Sequence, residues 1–129
     1  MDAPNVSTCV ITPEREALVR DILGRIADKW TLLVIDALEG EDVVRFSALR
    51  QRVGGVSQKM LTKTLRQLER DGLVARHVHP VVPPRVEYRL TALGESLGAA
   101  VCSIWTWAGD NIASVEEARR AYDGGTAGQ

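Results

Sequence analysis

The chain has 129 residues, of which 45% are hydrophobic and 26% charged, the profile of one soluble globular domain with room for a core. No apolar run approaches the roughly 20 residues that cross a bilayer. The opening MDAPNVSTCV has neither the basic nor the apolar region of a secretory leader, so a cytoplasmic protein is expected. The formal net charge of -1 does not by itself suggest an anionic partner, but its distribution does. From Arg45 to Arg89, ten Lys/Arg stand against three Asp/Glu, a net +7, while the remainder carries −8. A basic middle between acidic ends fits an anion-binding surface on an otherwise soluble body. A solvated helix face with incidental arginines gives the same totals, so the pattern has to decide.

In chain order, Thr12-Pro13-Glu14 reads as a helix start, with Thr as cap, Pro at the first helical position and acids in the first turn. Leu18, Ile22, Leu23 and Ile26 then recur at helical spacing. A second helix is expected from about Lys29 to Glu39, with Trp30, Leu33, Val34, Ala37 and Leu38 inward and Gly40 as its stop. Residues 42–45 read as a link. A short helix follows from Phe46 to Val53, burying Phe46, Leu49 and Val53. Gly54-Gly55 makes a turn, since glycine reaches positive φ without steric cost. Ser57 caps a helix that runs to Asp71 and stops at Gly72. Strands are expected over 73–79 and 85–90, joined by the proline-rich tip Pro80-Val81-Val82-Pro83-Pro84. Thr91 caps a last helix to about Tyr122, with Leu93, Leu97, Val101, Ile104, Trp105, Ala108 and Ile112 on its apolar side; residues 124–129 read as a frayed tail.

The helix after Ser57 carries the chemistry. At about 100° per residue, Met60, Leu61, Thr64, Leu65 and Leu68 fall together, and Lys59, Thr62, Lys63, Arg66 and Arg70 fall almost opposite. One face anchors in a core while the other presents cations and hydroxyls. Phosphate binding needs fixed cations, and base reading needs hydrogen-bonding side chains near a helix N-terminus. Ser57, Gln58, Lys59, Thr62, Lys63 and Arg66 supply both, joined by Arg45 and, at the hairpin tip, Arg85. In the hairpin Val86, Tyr88 and Leu90 alternate inward, with Arg85, Glu87 and Arg89 outward. His77 and His79 share one strand face, but no third metal ligand lies nearby, so no metal and no cofactor is expected. An amphipathic basic helix alone is weak evidence. Short helix, glycine turn, capped helix and basic hairpin in that order read as a winged helix-turn-helix: mainly α with a small β-hairpin, an α+β chain.

Several segments sharpen this: Lys29-Trp30-Thr31, Arg45-Phe46-Ser47-Ala48-Leu49, Val56 to Thr62, Leu65 to Leu73, and Val86 to Thr91. As a set they resemble the signature of HxlR-type transcriptional regulators, winged-helix relatives of the MarR regulators. The resemblance covers about Leu18 to Trp107. It implies one domain over 1–129, with a core of about 14–122 and a DNA-reading part of about 45–91. It implies a homodimer held by N- and C-terminal helices on a palindromic operator of double-stranded DNA; repression is the expected action, with activation left open. Recognition helix 57–71 would enter the major groove and wing 74–90 would meet the backbone or minor groove. Two departures stand out. Ala27-Asp28 replaces the usual Gly-Gly before Lys-Trp, and Cys9 lies further toward the N-terminus than the cysteine that some members use to sense oxidants or electrophiles.

Cys9 is the candidate redox-sensing residue, but no base adjoins it in Ser7-Thr8-Cys9-Val10-Ile11, which fits a partly buried small apolar residue of an N-terminal arm better. Cys102 reads as helix packing. Trp105 and Trp107, two apart on a helix, cannot face the same way, so one is expected in the core and the other against a partner subunit; an effector pocket for an unidentified small molecule is the alternative use. The two cysteines form no CxxC or zinc spacing. No Ser-His-Asp order and no phosphate-cradling glycine loop points to an enzyme. A protein-interaction module on the same fold is the competing function, and the outward cationic helix favours DNA.

Overall fold

The structure, a computed structural model, describes residues 12–127. Helix α1 spans Pro13–Ile26 and α2 spans Lys29–Leu38. A two-residue strand β1, Val44–Arg45, leads directly into α3, Phe46–Val53. Helix α4 is Gln58–Arg70, the hairpin strands are β2, Val74–His79, and β3, Arg85–Leu90, and α5 is Ala92–Ala127.

The segment expected to be a plain link thus contains a strand. β1 pairs antiparallel with β3, Val44 opposite Tyr88 and Arg45 opposite Glu87, so the sheet order is β1-β3-β2. Two residues are too few for alternation to announce a strand, but the alternation is there: Val44 is buried and Arg45 exposed.

The core lies between α2, α4 and the inner face of this sheet. Val34, Ile35, Leu38, Leu49, Leu61, Leu65 and Leu68 are buried with Val44, Val74, Tyr88, Leu90 and Val101. On α2 the buried face is Thr31, Val34, Ile35 and Leu38, turned slightly from the expected one: Trp30, Leu33 and Ala37 are only partly covered. Phe46 and Val53 are likewise half-buried, leaving Leu49 as the buried residue of α3. Asp28 caps α2 by accepting from the Trp30 N–H at 2.8 Å, the role its departure from Gly-Gly makes available. At the start of α1, by contrast, Thr12 makes no side-chain cap bond, and Pro13 at the first position does the stopping.

Thr91 locks the hairpin to α5: its Oγ1 accepts from the Gly94 N–H at 3.0 Å and donates to the Gly72 carbonyl at 2.6 Å. Behind it α5 lies so close that a Cβ on Gly94 would collide with the Leu73 carbonyl, and one on Gly98 with the Glu39 carboxylate. Small residues at this i, i+4 spacing let the helix seat against the body. Helix α5 continues through Ala127 rather than ending near Tyr122, and its 36 residues span about 54 Å at roughly 1.5 Å per residue.

The outer helices differ from the body. α1 buries no residue, and Leu18, Ile22 and Leu23 stand exposed. On α5 only Val101 is buried among the large apolar side chains; Leu93, Ile104, Trp105, Trp107 and Ile112 are exposed. Neither tryptophan enters the core, contrary to the expectation for one of the pair. Cys102 is likewise exposed, not packed.

Candidate nucleic-acid interface

Three local devices aim α4. Gly54 and Gly55 both take positive φ, 73° and 69°, which turns the chain sharply out of α3. Arg50 Nε donates to the Val56 carbonyl at 3.2 Å and pins this turn. Ser57 Oγ then accepts from the Met60 N–H at 3.0 Å, satisfying one of the amides that a helix start leaves open. Leu61, Thr64, Leu65 and Leu68 are buried, so the opposite face is turned to solvent. Along it Gln58, Lys59, Thr62, Lys63 and Arg66 line one shallow furrow, with Gln67 completing its edge. Gln67 was not among the expected site residues, because its wheel position sits between the two faces. Lys59, Lys63 and Arg66 are exposed and have no carboxylate partner among the described residues.

Other arginines of the basic segment serve the fold. Arg52 reaches the Ala37 carbonyl at 3.4 Å and Glu41 at 3.3 Å, and Arg76 pairs with Glu69 at 3.4 Å. The +7 segment therefore overstates the charge available to a ligand.

Arg45 and Arg85 meet at a second place. They line a cleft of about 510 Å³ between the start of α3 and the hairpin tip, together with Ser47 and Val81 to Pro84. Arg85 does not project freely from the tip: its Nε lies 3.5 Å from Glu87 Oε2. Glu87 is on the outward sheet face, as alternation requires, yet its side chain is only 17% exposed. His79 covers it, with Nε2 at 2.7 Å from Glu87 Oε1. An ionised carboxylate only accepts, so Nε2 carries the proton in this contact. That hydrogen bond is the main cause holding the Glu87 carboxyl below the usual carboxylate range; partial burial opposes it, and the charges of His79, Arg85 and Arg45 reinforce it. His77 stacks edge-on against His79, ring centres 4.4 Å apart. No cluster of three or more His, Cys, Asp or Glu suited to a metal occurs among the described residues. The His79–Glu87 contact was not legible from the sequence, because it joins residues eight apart whose pairing depends on hairpin register.

Cys9 lies outside the described residues. Away from the basic face, a cavity of about 670 Å³ opens between α1, the end of α4 and the start of α5. Leu18, Ile22, Leu68, Leu93 and Leu97 wall it, and the Arg25–Asp71 ion pair, 3.6 Å, closes one side.

A three-helix body ending in a capped, outward-facing basic helix and a three-stranded antiparallel sheet defines a winged helix-turn-helix. The match to known proteins gives the family. The HxlR-like helix-turn-helix model matches residues 25–116, and the chain belongs to that family of transcriptional regulators. It is 44% identical over 96 residues to the HTH-type transcriptional regulator YtfH of Escherichia coli (strain K12), covering 74% of this chain and 75% of that one. Among solved structures it is similar to ytfH from Salmonella typhimurium, described as a transcriptional regulator, with TM-score 0.74 and 41% identity over 79% of this chain and 90% of that one. It is also similar to the redox regulator HypR in its oxidised form, with TM-score 0.66 and 36% identity over 73% and 96% of the two chains. The sequence resemblance to HxlR-type regulators is thereby confirmed. No helix among the described residues is long and apolar enough to cross a membrane.

Proposed function

We propose that this transcriptional regulator is a homodimer without catalytic activity of its own, which binds a palindromic operator in double-stranded DNA and acts as a cytoplasmic repressor. Its α4 helix enters the major groove through Ser57, Gln58, Lys59, Thr62, Lys63 and Arg66, while Arg45 and Arg85 meet phosphates beside the wing. The observation that carries this reading is the outward face of α4, where three cations stand without acidic partners among the described residues, beside hydrogen-bonding side chains. Cations that serve only to solvate a helix gain from i, i+4 acids, and α1 shows that arrangement with Glu16–Arg20 and Asp21–Arg25; α4 does not use it.

The dimer rests on the apolar residues that α1 and α5 leave exposed. Exposed apolar side chains in such number mark an interaction site, and a two-fold axis would set the spacing of two α4 helices on a palindrome. Analytical ultracentrifugation is expected to give a dimer, and Ile104→Asp with Trp107→Asp a folded monomer; a wild-type monomer at micromolar concentration contradicts this part.

The experiment for DNA is nuclease protection of the regions flanking the gene encoding this chain, with the purified protein. Protection of a palindrome is expected, and loss of protection in Lys59→Ala/Lys63→Ala. Indifference to duplex DNA at low salt refutes the reading and favours a protein-interaction module. Modulation enters in two ways. The relatedness to a redox regulator makes thiol oxidation, through Cys9, one; an apolar small molecule in the α1–α4–α5 cavity is the other. Footprints with and without oxidant, and with Cys9→Ser, test the first.

A further inference from the structure

The outward face of the sheet carries a charge arrangement that α4 does not use. Arg45 from β1, His77 and His79 from β2, and Arg85, Glu87 and Arg89 from β3 all lie on it. Glu87 sits in the middle row, with Arg45 as its Cα partner on one side and His77 on the other. Its two oxygens are divided: Oε1 takes the His79 Nε2–H at 2.7 Å, and Oε2 faces Arg85 Nε at 3.5 Å. That Nε is buried without a hydrogen-bond partner, so the contact with Glu87 is electrostatic and sets where the guanidinium lies. A long arginine side chain otherwise loses rotamer freedom when a ligand fixes it. A carboxylate that fixes it beforehand reduces that cost at binding.

We propose that Glu87 is the positioning residue of the wing, holding Arg85 at the mouth of the cleft between α3 and the hairpin tip for a DNA phosphate, and that His79 shares the carboxylate so that the wing's grip on DNA tightens when the imidazole is protonated. The inference rests on the DNA reading above. The charge count shows the effect. With neutral imidazoles, Arg45, Arg85 and Glu87 leave a single net positive charge on the cluster. A proton on His79 offsets the charge of Glu87 and raises the net charge of the cluster by one. Glu87 stays ionised throughout the imidazole range, since its neighbours hold its carboxyl low. His77 lies edge-on against the His79 ring on the same strand face. Arg89, one row away opposite Ala75, is fixed in charge, and among the described residues the cleft side adds only the uncharged Phe46, Ser47, Val86 and hairpin tip.

Phosphate contacts are independent of sequence, so a short duplex of mixed sequence is a sufficient probe, read by fluorescence anisotropy at about pH 8 and about pH 6, either side of the imidazole range. Wild type is expected to bind roughly three- to tenfold tighter at the lower pH in about 0.1 M salt, the effect of one added phosphate-facing charge. His79→Gln keeps the affinity at the higher pH and loses the rise, while His77→Gln keeps the rise. Glu87→Gln binds more weakly than wild type at the lower pH and lowers the salt slope by about one, as Arg85→Ala does. If Glu87→Gln does not fold, the His79→Gln and Arg85→Ala results decide. Tighter binding by Glu87→Gln at both pH values would show a carboxylate that merely repels phosphate, and a rise that survives His79→Gln would remove the shared proton; either overturns the inference while leaving α4 as the reader. A wild type that ignores the duplex refutes the DNA reading instead.

Discussion

Helix α4 and the hairpin present cations in two different ways. On α4, Lys59, Lys63 and Arg66 have no carboxylate partner among the described residues, and their helix is held by four buried side chains on its other face. On the hairpin, Arg76 answers to Glu69, and Arg85 and His79 answer to the single carboxylate of Glu87. The first arrangement offers constant charge on a rigid support. The second offers charge that is pre-placed but partly neutralised, and that a proton can change. A rigid reader beside an adjustable clamp divides the work of finding a sequence from that of gripping a backbone.

The contrast breaks most severely if α4 loses its anchor. Leu65 is 2% exposed, and Leu65→Ala is expected to cost about 2–5 kcal/mol of unfolding free energy in urea. Because the fold itself goes, DNA binding by α4 and hairpin is expected to fall together. Gln58→Ala separates the two: it is expected to shift discrimination among operator variants by about 1–3 kcal/mol in competition binding, leaving mixed-sequence affinity near wild type. Ser57→Ala removes the cap and is expected to cost about 1 kcal/mol of stability by thermal denaturation. The smallest effect concerns the hairpin. Glu87 has a lowered carboxyl pKa in the folded chain, so its contribution is present above the unfolded carboxyl value of about 4.3 and disappears as pH falls through the folded value. Melting temperatures followed down in pH are expected to drop slightly less in Glu87→Gln than in wild type.

Much of α4 and its turn was readable because a 3.6-residue period, a serine cap and paired glycines all gave the same answer. The buried set Leu61, Thr64, Leu65 and Leu68 is the apolar side of the wheel, and β3 falls on the expected residues 85–90. Three features were not readable, for separate reasons. β1 has two residues, shorter than any usable period. The His79–Glu87 bond needs the register across a five-residue tip, and side-chain alternation alone reports only which face each residue occupies. The stripes of α1 and α5 were visible as apolar, but periodicity says that a face wants cover and not whether its own subunit supplies it; Leu18, Ile104, Trp105 and Trp107 are exposed in the single chain.

The central claim is that the uncompensated face of α4 is the DNA contact. Its most direct test is the salt dependence of duplex binding, measured for wild type and for Lys59→Ala/Lys63→Ala/Arg66→Ala side by side. The account predicts a steep log–log slope for wild type and one shallower by about three for the variant, with affinity lower by about 10²–10³-fold in about 0.1 M salt and the fold intact by circular dichroism. Equal slopes for the two proteins would contradict it.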